Sequence, residues 1–102
     1  MTNDQLTAIL AERIMGWTVS PERFMMGRRS WLPRWRFQPA TRLQDALRLL
    51  ECAAPQMYTI GTTENGGCWA TVRIAGALGE AREPSQARAI TLAIARAIGL
   101  EV

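Results

Sequence analysis

Leu6, Ile9, Leu10, Ile14 and Trp17 recur at the three- and four-residue spacing of one helical face, with Asp4, Glu12 and Arg13 off it. This predicts a helix over 3–15. Thr2 followed three residues later by Gln5 fits a reciprocal capping box at its start, and Gly16 supplies a left-handed stop. Trp17 is expected to close that helix against the core. From 20 to 38 the helical period disappears. Trp31, Trp35 and Phe37 alternate with Arg34 and Arg36, a period-two pattern, and Arg23 to Met26 can pair back onto it across Gly27-Arg28-Arg29-Ser30. Pro33 has no N–H, so the second strand is expected at an edge or to enter the sheet late.

Leu43, Ala46, Leu47 and Leu50 form the next helical stripe, predicting a helix over 41–52 that opens on Thr41 with Gln44 and ends at Ala54-Pro55. Met57 to Thr62 and Cys68 to Ala75 read as two strands joined by Glu64-Asn65-Gly66-Gly67, whose glycines suit a tight hairpin. In the second strand Cys68, Ala70, Val72 and Ile74 share one face, and Trp69, Thr71 and Arg73 the other. If helices cover only one side of this sheet, Trp69 with Tyr58 and Arg73 makes an exposed patch. Gly76 to Glu83 reads as a loop. A last helix opens on Glu83-Pro84-Ser85, with Ala87, Ile90, Ala93, Ile94, Ala97 and Ile98 as its buried stripe and Gly99 as its stop. The order is helix, two strands, helix, two strands, helix. It predicts an α+β fold, a layered α/β/α-type sandwich with an antiparallel sheet of about four strands and three helices.

Length and composition bound this reading. A chain of 102 residues, 48% of them apolar and 21% charged, suits one domain over 1–102 with a core sufficient to fold without staples. Cys52 and Cys68 are too few for a disulfide framework, and with no histidine present they complete no zinc site. They read as small hydrophobes. Asp4 sits where a signal peptide would carry positive charge, and no apolar run is long enough to span a bilayer, so a soluble intracellular protein is expected.

The absence of histidine also removes the commonest nucleophile and general-base systems. The nine carboxylates are scattered over caps, helix faces and turns, no pair is placed on one face by its spacing, and there is no phosphate-binding glycine motif. Neither catalysis nor a cofactor, a metal or a small-molecule substrate is expected.

Charge is where the composition becomes local. The net charge of +3 comes from 12 arginines and nine acids, with no lysine. Six of those arginines (Arg23, Arg28, Arg29, Arg34, Arg36 and Arg42) fall between 23 and 42, where there is no acid, so this segment carries +6 and the rest −3. Phe24, Trp31, Trp35 and Phe37 are interleaved with them. Two readings stand. If the rings face inward they are core; if they face outward, Trp31 and Trp35 with Arg28, Arg29, Arg34 and Arg36 form a binding surface. Tryptophan and arginine are enriched at protein hot spots, which points to a protein partner or self-association. Phosphate contacts by the arginines and base stacking by the tryptophans point alternatively to nucleic acid. A double-stranded-RNA-binding domain has a related element order, but the last helix here opens Glu83-Pro84-Ser85 and carries only Arg88 and Arg96.

Four motifs carry a resemblance. Leu10-Ala11-Glu12-Arg13-Ile14-Met15-Gly16-Trp17, then Phe37-Gln38-Pro39-Ala40-Thr41 leading into Asp45-Ala46, then Gly66-Gly67-Cys68-Trp69 and finally Ala89-Ile90 resemble, in this order, the phage ABA-sandwich domain. The likeness runs from residue 6 to residue 98. It implies a small bacteriophage or prophage protein, acting in the cytoplasm of a bacterial host, with helices layered on an antiparallel sheet and no established activity. Where such proteins often have serine, this chain has Ala40, which leaves Thr41 to serve as the cap. The stretch 28–37 lies where such proteins vary.

Overall fold

A computed structural model describes residues 1–102. The first helix, α1 (Asn3–Arg13), begins as its sequence dictates: the Gln5 N–H donates to Thr2 Oγ1 at 3.1 Å and the Thr2 N–H to Gln5 Oε1 at 2.9 Å. Gly16 adopts φ +73°, and beyond it the Trp17 N–H returns to the Ala11 carbonyl at 3.0 Å, closing a seven-residue turn at the end of the helix. This bond turns the Trp17 ring onto the core.

A small antiparallel sheet follows, formed by β1 (Thr18–Val19), β2 (Arg23–Met25) and β3 (Trp31–Pro33) in that order. The expected hairpin is present, with Arg23 opposite Pro33, Phe24 opposite Leu32 and Met25 opposite Trp31. Its second strand is shorter than the alternation predicted. After Pro33 the chain coils into a single 3₁₀ turn, Arg34–Arg36, closed by the Phe37 N–H on the Arg34 carbonyl. A proline cannot donate to a ladder, and β3 has no neighbour on its outer side to hold it extended.

Helix α2 (Leu43–Ala53) starts two residues later than expected, with Arg42 at its N-cap position and no side-chain cap. Thr41 does not cap it: its hydroxyl turns back to Gln38, while Asp45 in the first helical turn accepts the Gln38 N–H at 2.9 Å. The buried face is Ala46, Leu49 and Leu50; Leu43 and Leu47, expected inside, lie on the exposed flank.

The main sheet has three strands, β4 (Met57–Thr62), β5 (Cys68–Ile74) and β6 (Ala77–Glu83), paired antiparallel in chain order. The β4–β5 hairpin is the predicted one. The segment expected as a loop, Gly76 to Glu83, is a full strand. Ala75 and Gly76, at φ +50° and +83°, make the two-residue turn into it, and the register runs from Ile74 opposite Ala77 to Cys68 opposite Glu83. The chain therefore holds six strands in two three-stranded sheets, where about four were expected, and the α+β class stands.

Helix α3 (Gln86–Ala97), capped by Ser85 accepting the Arg88 N–H, lies on β5 and β6 and receives α2 on its other side. Ala89 through Ala95 are all buried, more than the single stripe expected, because the helix is enclosed between the main sheet and α2. Its approach to β6 is close enough that a Cβ at Gly79 would run into the backbone of Ala93 and Ala97. This contact explains the sequence of β6. Its buried residues are Gly79 and Ala81, because only small side chains fit beneath the helix; Ala77 shares their face but is exposed.

Candidate binding surface

Segment 23–42 sorts its aromatic rings into two sets. Phe24 projects from β2 into the core, and Phe37, released from the 3₁₀ turn, returns to meet it and Trp17; the three ring centroids lie 5.0–5.9 Å apart in tilted or edge-on pairs. Trp31 and Trp35 stay outside, at 53% and 59% exposure. Trp31 lies on the outer face of β3 beside Met25 and Pro33, the face opposite that of Phe24 and Leu32, as its register requires. Trp35 is carried outward by the 3₁₀ turn. Each exposed ring is accompanied by a guanidinium, Arg23 over Trp31 at 5.5 Å and Arg36 over Trp35 at 5.4 Å. Arg28 and Arg29 occupy the exposed tip of the hairpin.

Arg34 has a different place from the other arginines of the segment. Its guanidinium lies over the Phe24 ring at 5.4 Å, donates to the carbonyls of Ser20 and Asp4, and meets the Asp4 carboxylate at 3.2 Å. It ties the start of α1 to the small sheet, so its donors are taken up within the fold. Beside it a groove of about 460 Å³ runs between Asp4 and Thr7 of α1 and Trp35 and Gln38. Of the six residues expected to form the surface, Arg28, Arg29, Trp31, Trp35 and Arg36 are thus exposed and Arg34 is not. To these the structure adds Arg23, whose part beside Trp31 follows from the register of β2 against β3.

Comparison with known proteins bears on the frame of this surface. The family model described as the phage ABA sandwich domain matches residues 8–96. The chain belongs to that family. A solved structure of a phage protein from Bacillus cereus ATCC 14579 is similar over 100% of this chain and 92% of its own, with a TM-score of 0.79 and 14% sequence identity, a likeness of fold. No curated protein matches.

In this phage ABA sandwich chain the motifs that carried the resemblance are mostly fold-making. Leu10, Ala11, Trp17, Phe37, Ala40, Ala46, Ala89 and Ile90 are all buried, and Gly66 turns the main hairpin at φ +81°. Trp31 and Trp35 with Arg23, Arg28, Arg29 and Arg36 lie outside those motifs. The other exposed surface is the face of the main sheet turned away from α3. Trp69 lies on it, half-buried, its ring laid across Gly61 of β4, where a Cβ would force the ring to move. Its apolar companions are Met57 and Leu78. Tyr58, expected beside Trp69, is opposite Val72 and so lies on the other face. Cys52 and Cys68 are free thiols, and no three Cys, Asp or Glu side chains gather in a way that could hold a metal ion. No helix is long and apolar enough to cross a membrane.

Proposed function

We propose that this phage protein works by binding, in the cytoplasm of its bacterial host, and that its contact surface is Arg28, Arg29, Trp31, Trp35 and Arg36 with Arg23, directed at an acidic surface of a protein partner. The observation that supports this reading is the exposure of Trp31 and Trp35 in a segment of charge +6. Large rings left in water beside arginines are the composition of interface hot spots, and an acid-free segment favours a partner of opposite charge. The test is retention of host or phage proteins on the immobilised wild-type chain and on a Trp31→Ala/Trp35→Ala variant of unchanged fold. A protein held by the first and lost by the second is expected. Equal retention by both overturns the assignment of this surface.

Nucleic acid is the second reading, favoured by the absence of any acid between 23 and 42. Against it stands the shortness of the free cationic track, since Arg34 is engaged by Asp4 and Ser20, and Arg23 and Arg36 already lie over the rings that bases would stack on. A random single-stranded oligonucleotide decides it. A gel shift at low salt that weakens steeply as salt rises assigns the surface to nucleic acid, and no shift removes that reading.

A further inference from the structure

The two edges of the main sheet differ. Antiparallel ladders alternate between residue pairs that exchange hydrogen bonds and pairs that do not. The Thr63 N–H donates to the Gly67 carbonyl at 2.8 Å, which sets the phase: Met57, Thr59 and Gly61 direct their backbone groups at β5, and Tyr58, Ile60 and Thr62 direct theirs away from the sheet. No loop, helix or side chain takes up these three outward N–H groups. On β6 the same alternation turns Leu78, Glu80 and Arg82 outward, and there the Glu80 carbonyl is covered by Arg96 Nη1 at 2.6 Å. Charges and a covering side chain are the usual protection of a strand edge. The β4 edge, Met-Tyr-Thr-Ile-Gly-Thr, has no charge, no proline and no cover.

We propose that β4 pairs with β4 of a second copy of this chain, antiparallel about a twofold axis at Ile60, joining two three-stranded sheets into one continuous sheet. The outward residues suit this register. Ile60 faces Ile60 of the second copy, Tyr58 faces Thr62 and Thr62 faces Tyr58, and each of these pairs can exchange both of its N–H···O bonds. On the helix side Tyr58, 55% exposed in the single chain, gains a neighbour across the axis; α3 lies over β5 and β6 and leaves this position open, while Ile60 packs against the core. A neutral strand brings no like charges opposite each other, whereas β6 paired with itself would place charged residues along the join. The surface is separate from segment 23–42, so the proposal stands or falls independently of the functional reading above.

Sedimentation equilibrium from low-micromolar to near-millimolar protein tests it. The expected result is a concentration-dependent rise from 11.4 kDa to twice that mass. Tyr58→Lys with Thr62→Lys places lysines opposite each other across the axis and should hold the protein at monomer mass. Tyr58→Lys with Thr62→Glu places lysine opposite glutamate and should restore the doubled mass. Both positions are exposed, and an unchanged far-ultraviolet spectrum and thermal melt certify the fold of each variant. Monomer mass for the wild type throughout, or a dimer indifferent to the two lysines, overturns the proposal. A dimer lost in both double variants overturns the register.

Discussion

Strand β5 and the segment Trp31–Phe37 carry the same kind of written pattern, yet only one keeps it in space. In β5, Ala70 and Val72 are buried and Arg73 is exposed, as the alternation requires. In Trp31–Phe37 the rings at 31, 35 and 37 ought to share one face, but Phe37 is 1% exposed and the two tryptophans stand in solvent. The difference lies in the neighbours. β5 is paired on both sides, so two ladders fix every residue's direction. β3 is paired on one side only and reaches Pro33 after two residues, where the missing N–H ends the ladder and the next three residues coil. Alternation specifies a face only where hydrogen bonding compels the backbone to stay extended.

Substitution can break this contrast, most strongly at the rings. Phe37→Ala removes a buried ring from the Trp17–Phe24–Phe37 cluster and is expected to cost about 3–5 kcal/mol in urea denaturation. At the main sheet the corresponding pressure point is Gly79. Gly79→Val forces a side chain against the Ala93 and Ala97 backbone and should cost about 1–3 kcal/mol, near the upper end because backbone cannot swing aside. Thr2→Ala removes the cap of α1 and one half of its reciprocal bond pair, for a loss of about 1 kcal/mol by the same measurement. The smallest effect sharpens the contrast most. Trp35→Ala, two positions from Phe37, should change stability by no more than about 0.5 kcal/mol, because its ring is in solvent. A loss comparable to that of Phe37→Ala would place Trp35 in the core and remove the basis of the proposed surface.

What could be read from the chain was local. The capping box of α1, the Gly16 stop, the β4–β5 turn and the apolar α3 each depend on residues within a few positions of one another, and each is present. Strand β6 was illegible for a reason of packing. Gly79 and Ala81 carry no strand signature on their own, and their smallness acquires meaning only from the helix lying on them. Thr41 shows the reverse case, a good local cap signal that lost to a competing contact, since Asp45 satisfies the Gln38 N–H and Thr41 turns away from the helix. The candidate surface was half legible. Its residues were marked by charge segregation and composition. The capture of Arg34 by Asp4, 30 positions earlier, had no sequence signal, because it depends on α1 lying beside the small sheet.

The sequence by itself determined the α+β class, the three helices, two of the hairpins, the family resemblance and the confinement of positive charge to one segment, because periodicity, turn chemistry and charge are written locally. The tertiary structure alone decided which rings of that segment face water, which arginine the fold consumes, that β6 is a strand, and which edge of the main sheet is left unguarded. Each of these is settled by what packs against the residue from far along the chain.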